Sequence, residues 1–277
     1  MASSEFLENY KLAEPTIRKL YDSTLRLAIL DALKDNPMRL ADLRRVVNAN
    51  APNTSSKAKD LEGMGLVERA DGDFQLTPYG RAVRARTKEA LEFYSTYEKF
   101  RKYWEGNVTT GIPDFLWFRL SDLNDAQVVE TSAKDVTKVH DSFVVLLNSI
   151  KEKFYGVSPI FHEEYLMAAN MLIKKGVDTQ LIVTNDVLKV CAKKGGKKTI
   201  DLWDNSKNCK IFGIPDLTVA FTVTENFLSM GLRSKHIPDS YMHADLQSVN
   251  PCAVKWGLAL FDYYKKQAKP VKLSDYL

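Results

Sequence analysis

Only three cysteines occur in 277 residues, Cys191, Cys209 and Cys252, and no CxxC pair joins any of them. That excludes a disulfide framework and a thiolate zinc finger, and leaves the thiols to be read as small buried groups. Histidine is almost as scarce, with His140, His162, His236 and His243. His162-Glu163-Glu164 opens like a metal-binding helix, but HExxH needs a second histidine where Leu166 stands, so no metal site is expected. No GxSxG, Walker loop or GxGxxG is present, so neither a catalytic residue nor a cofactor is expected. Long apolar runs are missing too, and the first fifteen residues lack the basic-then-apolar order of a signal peptide. The expectation is a chain kept off the membrane, in the cytoplasm.

What is present points to packed cores. Hydrophobic residues make up 45% and charged residues 27% of the chain, the balance of a globular protein, and this length suits two domains. The net charge of +4 is mild, but its distribution is uneven. Between residues 36 and 60, Arg39, Arg44, Arg45, Lys57 and Lys59 face only Asp42 and Asp60.

Residues 5–35 read as helical from apolar spacings of three and four, with Pro15 starting or kinking a helix. Short helices follow through Leu40–Val47 and through Thr54, Ala58 and Leu61, with Gly63 and Gly65 closing the second. The period then changes to two: Leu66–Arg69 and Phe74–Thr77 flank Asp71-Gly72-Asp73, a hairpin or wing. Pro78 begins a helix running to about Glu105, whose stripe of Phe93, Tyr97, Phe100 and Trp104 needs a cover, either the rest of the chain or a second subunit.

From residue 106 the pattern is α/β. Helices are expected over Ile112–Leu123, Ala133–Phe154 and His162–Lys175, and strands over Val157–Phe161 and Thr179–Thr184. Together these predict a β-α-β unit and a parallel sheet. Further strands are expected at 209–214, 217–224 and 227–233, the last two joined through Glu225-Asn226. Asn250-Pro251 would cap a closing amphipathic helix. Lys193–Lys198, with Gly195-Gly196 inside, reads as a flexible loop. The expected domains are therefore 1–105 and 106–277.

Three short helices and a hairpin suit DNA, because the third helix fits a major groove about 12 Å wide while the wing reaches the backbone. With Thr54, Ala58 and Leu61 inward, the outer face presents Pro52, Asn53, Ser56, Lys57, Lys59 and Asp60. The DNA-contact set is Arg39, Arg44, Arg45, Asn53, Ser55, Ser56, Lys57, Lys59 and Arg69. Asparagine and lysine suit base edges, the helix-borne arginines suit phosphate, and Arg69 suits the backbone or minor groove. The acidic wing tip would stay clear of phosphate. The same charges also suit a solvated face or a protein-docking surface.

The stretch from Ser23 to Val83, with GMGLV before the wing and LTPYG after it, resembles the ArsR/MarR-like winged helices. GIPDFLWFRLSDL (111–123), LIVTNDVL (181–188), FTVTENFLSMGL (221–232) and AVKWGLALFDYY (253–264) resemble the archaeal methanogenesis regulators of FilR type, so the likeness covers nearly the whole chain. It implies a winged helix-turn-helix followed by an α/β sensor domain of phospholipase-D-like layout. It also implies a homodimer on promoter DNA that controls methanogenic genes and responds to a small molecule or a protein partner. The HxKx4D chemistry of phospholipase D is missing, so an enzyme is not expected, and the winged-helix half has no cysteine for an arsenic-type thiol site. In open α/β sheets ligands favour the carboxyl ends of strands. The effector candidates are accordingly His162, Thr184, Asn185, Thr224, Glu225 and Asn226, each of which could instead cap a neighbouring helix. The rival functions are a module docking on the transcription machinery or a sensor kinase, and a phospholipase-D-like enzyme.

Overall fold

In a computed structural model of the chain, residues 4–131, 137–147, 149–237, 240–241 and 243–277 are described. The chain divides into two compact units, residues 1–91 and 92–277. The sequence reading sets the division later, at 105–106, and the aromatic stripe explains the difference. Phe100 and Trp104 are buried in the core of the second unit, with Phe93 and Tyr97 packed against it, so the stripe is covered within its own chain.

The first unit holds α1 (Glu5–Tyr21), α2 (Thr24–Ala32), α3 (Leu40–Val46), α4 (Ala51–Gly63), β1 (Val67–Ala70) and β2 (Asp73–Leu76). Pro15 lies inside α1, and the break comes instead at Asp22-Ser23. Ser23 is extended and its hydroxyl accepts the Arg26 N–H, which starts a new helix whatever precedes it. An exposed proline removes one N–H from α1 without forcing it to end there. Between β1 and β2, Asp71 and Gly72 both take positive φ, 52° and 90°, the two-residue turn whose twist matches a hairpin. Ile29, Leu30, Leu43, Leu61, Leu66 and Phe74 are fully buried at the centre. This is a helix-turn-helix with a wing.

The second unit begins within α5 (Pro78–Lys99). The backbone bends at Phe100 before α6 (Arg101–Gly106), so the single helix expected to Glu105 is two. Next come α7 (Asp114–Trp117) and a 3-10 turn, Leu120–Leu123. A sheet then forms from β3 (Gln127–Glu130), β4 (Lys153–Ser158), β5 (Asp178–Thr184), β6 (Cys209–Ile214), β7 (Val219–Thr224), β8 (Leu228–Leu232), β9 (Ala244–Ser248) and β10 (Lys269–Val271). Between these strands run α8 (Lys138–Leu147), α9 (Glu163–Lys174), α10 (Asn185–Asn205) and α11 (Pro251–Lys265).

The strand order is β10-β6-β5-β4-β7-β8-β9-β3. Only β4, β5 and β6 pair in parallel, and every other pairing is antiparallel. The expected β-α-β unit is therefore real, as β4-α9-β5, inside a sheet that is mixed. The long helix expected over Ala133–Phe154 is reduced to Lys138–Leu147, and positions 133–136 lie outside the described residues. Phe154 belongs to β4, where alternation sends Phe154 to one face of the sheet and Tyr155 to the other. Lys193–Lys198 lies within α10, kinked at Gly196 (φ 60°, ψ −171°), and not in a loop. Buried Ala192 before the kink and Ile200 after it hold both halves against the core.

The two faces of the sheet bury separate cores. On one, α11 packs across β4, β7 and β8, with Trp256 fully buried and its indole N–H donating to the Leu116 carbonyl at 3.0 Å. On the other lie α8, α9 and α10.

Candidate nucleic-acid interface and a buried cavity

The helix-turn-helix is set by capping. Asn48 takes φ 50° after α3, a left-handed conformation that asparagine tolerates. Asn50 then caps α4 by accepting the Asn53 N–H at 2.9 Å. Thr54, Ala58 and Leu61 point inward, so Asn53, Ser56 and Lys59 stand exposed on the opposite face, with Ser55 and Lys57 half-buried at its margins.

Asp60 is not part of that face. Its carboxylate accepts from the buried Arg26 guanidinium at 2.9 Å and lies 3.5 Å from Lys19 and 3.6 Å from Lys57. The hydrogen bond from Arg26 holds the Asp60 carboxyl below its ordinary value. Arg26 also pairs with Asp22, so α2 and α4 are locked together through one buried cation. With Asp60 turned inward, the exposed face of α4 is left cationic.

Arg69 is likewise occupied. Its Nε donates to Glu62 at 3.0 Å, and its guanidinium sits 4.2 Å from the Phe74 ring centre, bracing the wing against α4. Arg45 is 3.4 Å from Asp42, and Arg39 is 3.5 Å from Asp73 at the wing. Both are exposed pairs of the kind worth little in water. Arg44 on α3 and Lys59 on α4 have no ion-pair partner among the described residues. Arg44, Lys59, Asn53 and Ser56 thus form the part of the expected contact set that is exposed and uncommitted.

The expected effector residues do not come together. Asn185 accepts from the Tyr276 hydroxyl at 2.9 Å. Thr184 precedes α10 as its cap residue without a side-chain bond. The hairpin tip closes on itself: Thr224 Oγ1 accepts from Asn226 N and Phe227 N, and Asn226 Nδ2 donates to the Ser149 carbonyl. The Glu225 carboxylate accepts the N–H groups of Lys151, Glu152 and Lys153 at 2.7, 3.2 and 3.1 Å. Burial pushes its pKa up, but these backbone donors outweigh that and leave it below the ordinary 4.5. A carboxyl depressed in the fold adds stability above its unfolded pKa and loses it as pH falls through the folded one. Glu225→Gln should therefore flatten the loss of stability below about pH 4.5, read by thermal unfolding across an acid pH series.

His162 alone of those six borders a cavity, of about 130 Å³, between the sheet and α8 and α9. Its floor follows from strand register. Gly156, Thr222 and Ser229 lie side by side on β4, β7 and β8, and Ala220, Gly231 and Asp245 on β7, β8 and β9. These small side chains leave a hollow where the neighbouring strands present Leu181 and Val183. The walls include Phe143, Phe161 and Tyr165.

Asp245, which the sequence reading placed in no element, is the buried acid of this cavity, 6% exposed. Ser229 Oγ and Gln247 Nε2 donate to its Oδ2 at 2.5 and 2.8 Å. Burial raises its pKa to about 6, against the lowering effect of those two donors. Alternation in Ala244–Ser248, with Asp245 and Gln247 opposite Leu246, was the signal that could have found it. At the rim, His140, His162 and Glu164 bring ligand atoms within 4.8 Å of one another, the residues that could hold a divalent ion. The nearest pair among them is the His140–Glu164 ion pair.

Fold and site together define a winged-helix chain joined to an α/β unit with a buried cavity. Two family models match it: the N-terminal domain of the methanogenesis regulatory protein FilR1 over residues 14–93 and the middle domain of the same protein over 136–267. The chain belongs to the FilR1 family. It is 24% identical over 272 residues to the methanogenesis regulatory protein FilR1 of Methanothrix harundinacea (strain 6Ac), covering 94% of this chain and spanning 58% of the length of that relative. Among solved structures, TrmBL2, an archaeal chromatin protein, aligns over 95% of this chain and 99% of its own at 13% identity and a TM-score of 0.44. The phospholipase D family member Nuc from Salmonella typhimurium aligns over 53% of this chain and 97% of its own at 11% identity and a TM-score of 0.38. No helix among the described residues is long and apolar enough to cross a membrane.

Proposed function

We propose that the chain is a DNA-binding transcriptional regulator of methanogenesis-related genes, acting as a homodimer in the cytoplasm, with its second unit sensing a small molecule or a partner and catalysing nothing. The carrying observation is the outer face of α4. Its acid, Asp60, is turned inward onto Arg26 while Asn53, Ser56 and Lys59 stand exposed, and Arg44 on α3 is free of ion pairs. An α-helix of this kind enters a major groove, where asparagine and lysine meet base edges and the arginine of the preceding helix meets phosphate. Arg69 serves by holding the wing at a fixed distance from α4, a positioning role that replaces the direct contact expected for it. Membership of the FilR1 family and the name of its Methanothrix relative support the regulatory reading. Two copies would each read one half-site, and an effector would act by binding unequally to two arrangements of the dimer.

The test is affinity for a promoter fragment across a salt series. Arg44→Ala and Lys59→Ala should each weaken binding several-fold and reduce the slope of log affinity against log salt by about one. Unchanged affinity and slope in both variants would remove this face from the reading.

A further inference from the structure

The cavity of the second unit is a built binding site whose chemistry points to one class of ligand. It is large enough for about four waters' volume of liquid, and so for a small organic molecule. No lysine or arginine lines it, and its one lining carboxylate is Asp245. Both hydrogen bonds to that carboxylate fall on Oδ2, which leaves Oδ1 without a hydrogen-bond partner among the described residues. Tyr165 faces the same charge: burial first, then Asp245 and Glu164, drive its phenol well above the ordinary value. The hydroxyls of Ser158 and Thr222 are the other polar groups on the floor of the hollow.

An unpaired carboxylate oxygen at the bottom of a dry, aromatic-walled hollow is costly unless a cation comes to it. Aromatic faces attract the same cation through their quadrupoles, and the attraction grows when both partners are desolvated. An anion would meet Asp245 with nothing to offset the repulsion. A neutral ligand would leave the carboxylate uncompensated.

We propose that this cavity binds a small organic cation, a protonated or alkylated amine with an apolar body, its nitrogen against Asp245 and its carbon skeleton among Phe143, Phe161 and Tyr165. The site specifies the sensing part of the function proposed above and rests on that part alone. Its test contains no DNA, so loss of the cavity proposal and loss of the DNA-binding face are separate results.

Benzylammonium and tetramethylammonium are titrated into the purified full chain at neutral pH, with benzyl alcohol as the neutral counterpart. Calorimetry is read beside the fluorescence of Trp203, which borders the cavity. At least one cation should bind saturably, and about tenfold or more tighter than benzyl alcohol. Asp245→Asn keeps an acceptor for Ser229 and Gln247 and should remove that preference. Ala220→Leu, which fills the hollow from its floor, should abolish binding of cation and alcohol alike, with near-UV circular dichroism reporting an intact fold. Failure of both cations to bind the wild-type chain overturns the proposal. So does equal binding of the alcohol, or a cation preference that survives in the Asp245→Asn variant.

Discussion

Asp245→Asn should make the second unit more stable at neutral pH by on the order of 2–3 kcal/mol, an unusual result for a change to a hydrogen-bonded acid. A carboxyl whose pKa rises from an ordinary 3.8 to about 6 is ionised in the fold at a cost, and each pH unit of that rise is worth about 1.4 kcal/mol. The sign follows from proton binding. Between about pH 4 and 6 the folded chain holds a proton that the unfolded chain has already lost, so stability falls as pH rises through that window and levels off above it. Asparagine carries no such charge. The variant and the wild type should therefore agree near pH 4, diverge up to pH 6 and keep a constant gap beyond. Denaturant unfolding of the second unit at each pH reads the gap, and equal stability at pH 7 would show that Asp245 is not held ionised at a cost. Gain of stability with loss of cation binding in one substitution is the trade expected of a ligand-binding residue held in an unfavourable place.

Trp256→Ala should destabilise the second unit by about 3–5 kcal/mol, the range for losing a fully buried large aromatic side chain. Trp256 has no exposed surface, and its N–H satisfies the Leu116 carbonyl. Truncation opens a void and leaves a buried acceptor unpaired. The void lies against β4, β7 and β8, the strands that floor the cavity from the other face. Trp256→Phe keeps most of the packing, so the difference between the two variants isolates the lost volume from the lost hydrogen bond. The readout is the unfolding transition of the second unit, which need not coincide with that of the winged helix. A loss below about 1 kcal/mol for Trp256→Ala would contradict the packing described.

The winged helix was legible because its determinants are local. Asn50 before α4, the inward spacing of Thr54, Ala58 and Leu61, and the Asp71-Gly72 turn each act within a few residues of themselves. Ser23 is an equally local signal, yet Pro15 drew the break in its place, since a proline in an exposed helix costs less than its usual meaning suggests. In the α/β half, β4 was half-hidden because Phe154 and Ile150 continued the helical spacing of α8 by coincidence, while β3 and β9 are too short and too polar to stand out. Of the expected effector residues, Thr224, Glu225 and Asn226 were chosen for polarity at a strand end, and that polarity is consumed in closing the hairpin.

From the chain alone came the DNA-facing module, its cationic helices and the alternation of apolar faces in the α/β half, because period, capping and turn chemistry are properties of neighbouring residues. Tertiary structure alone decided that Asp60 turns inward, that Arg69 braces the wing, and that Gly156, Thr222, Ser229, Gly231 and Asp245 meet to floor one hollow. Those residues come from four strands, and which of them stand beside one another is set by pairing register, a choice that the distant partners make together.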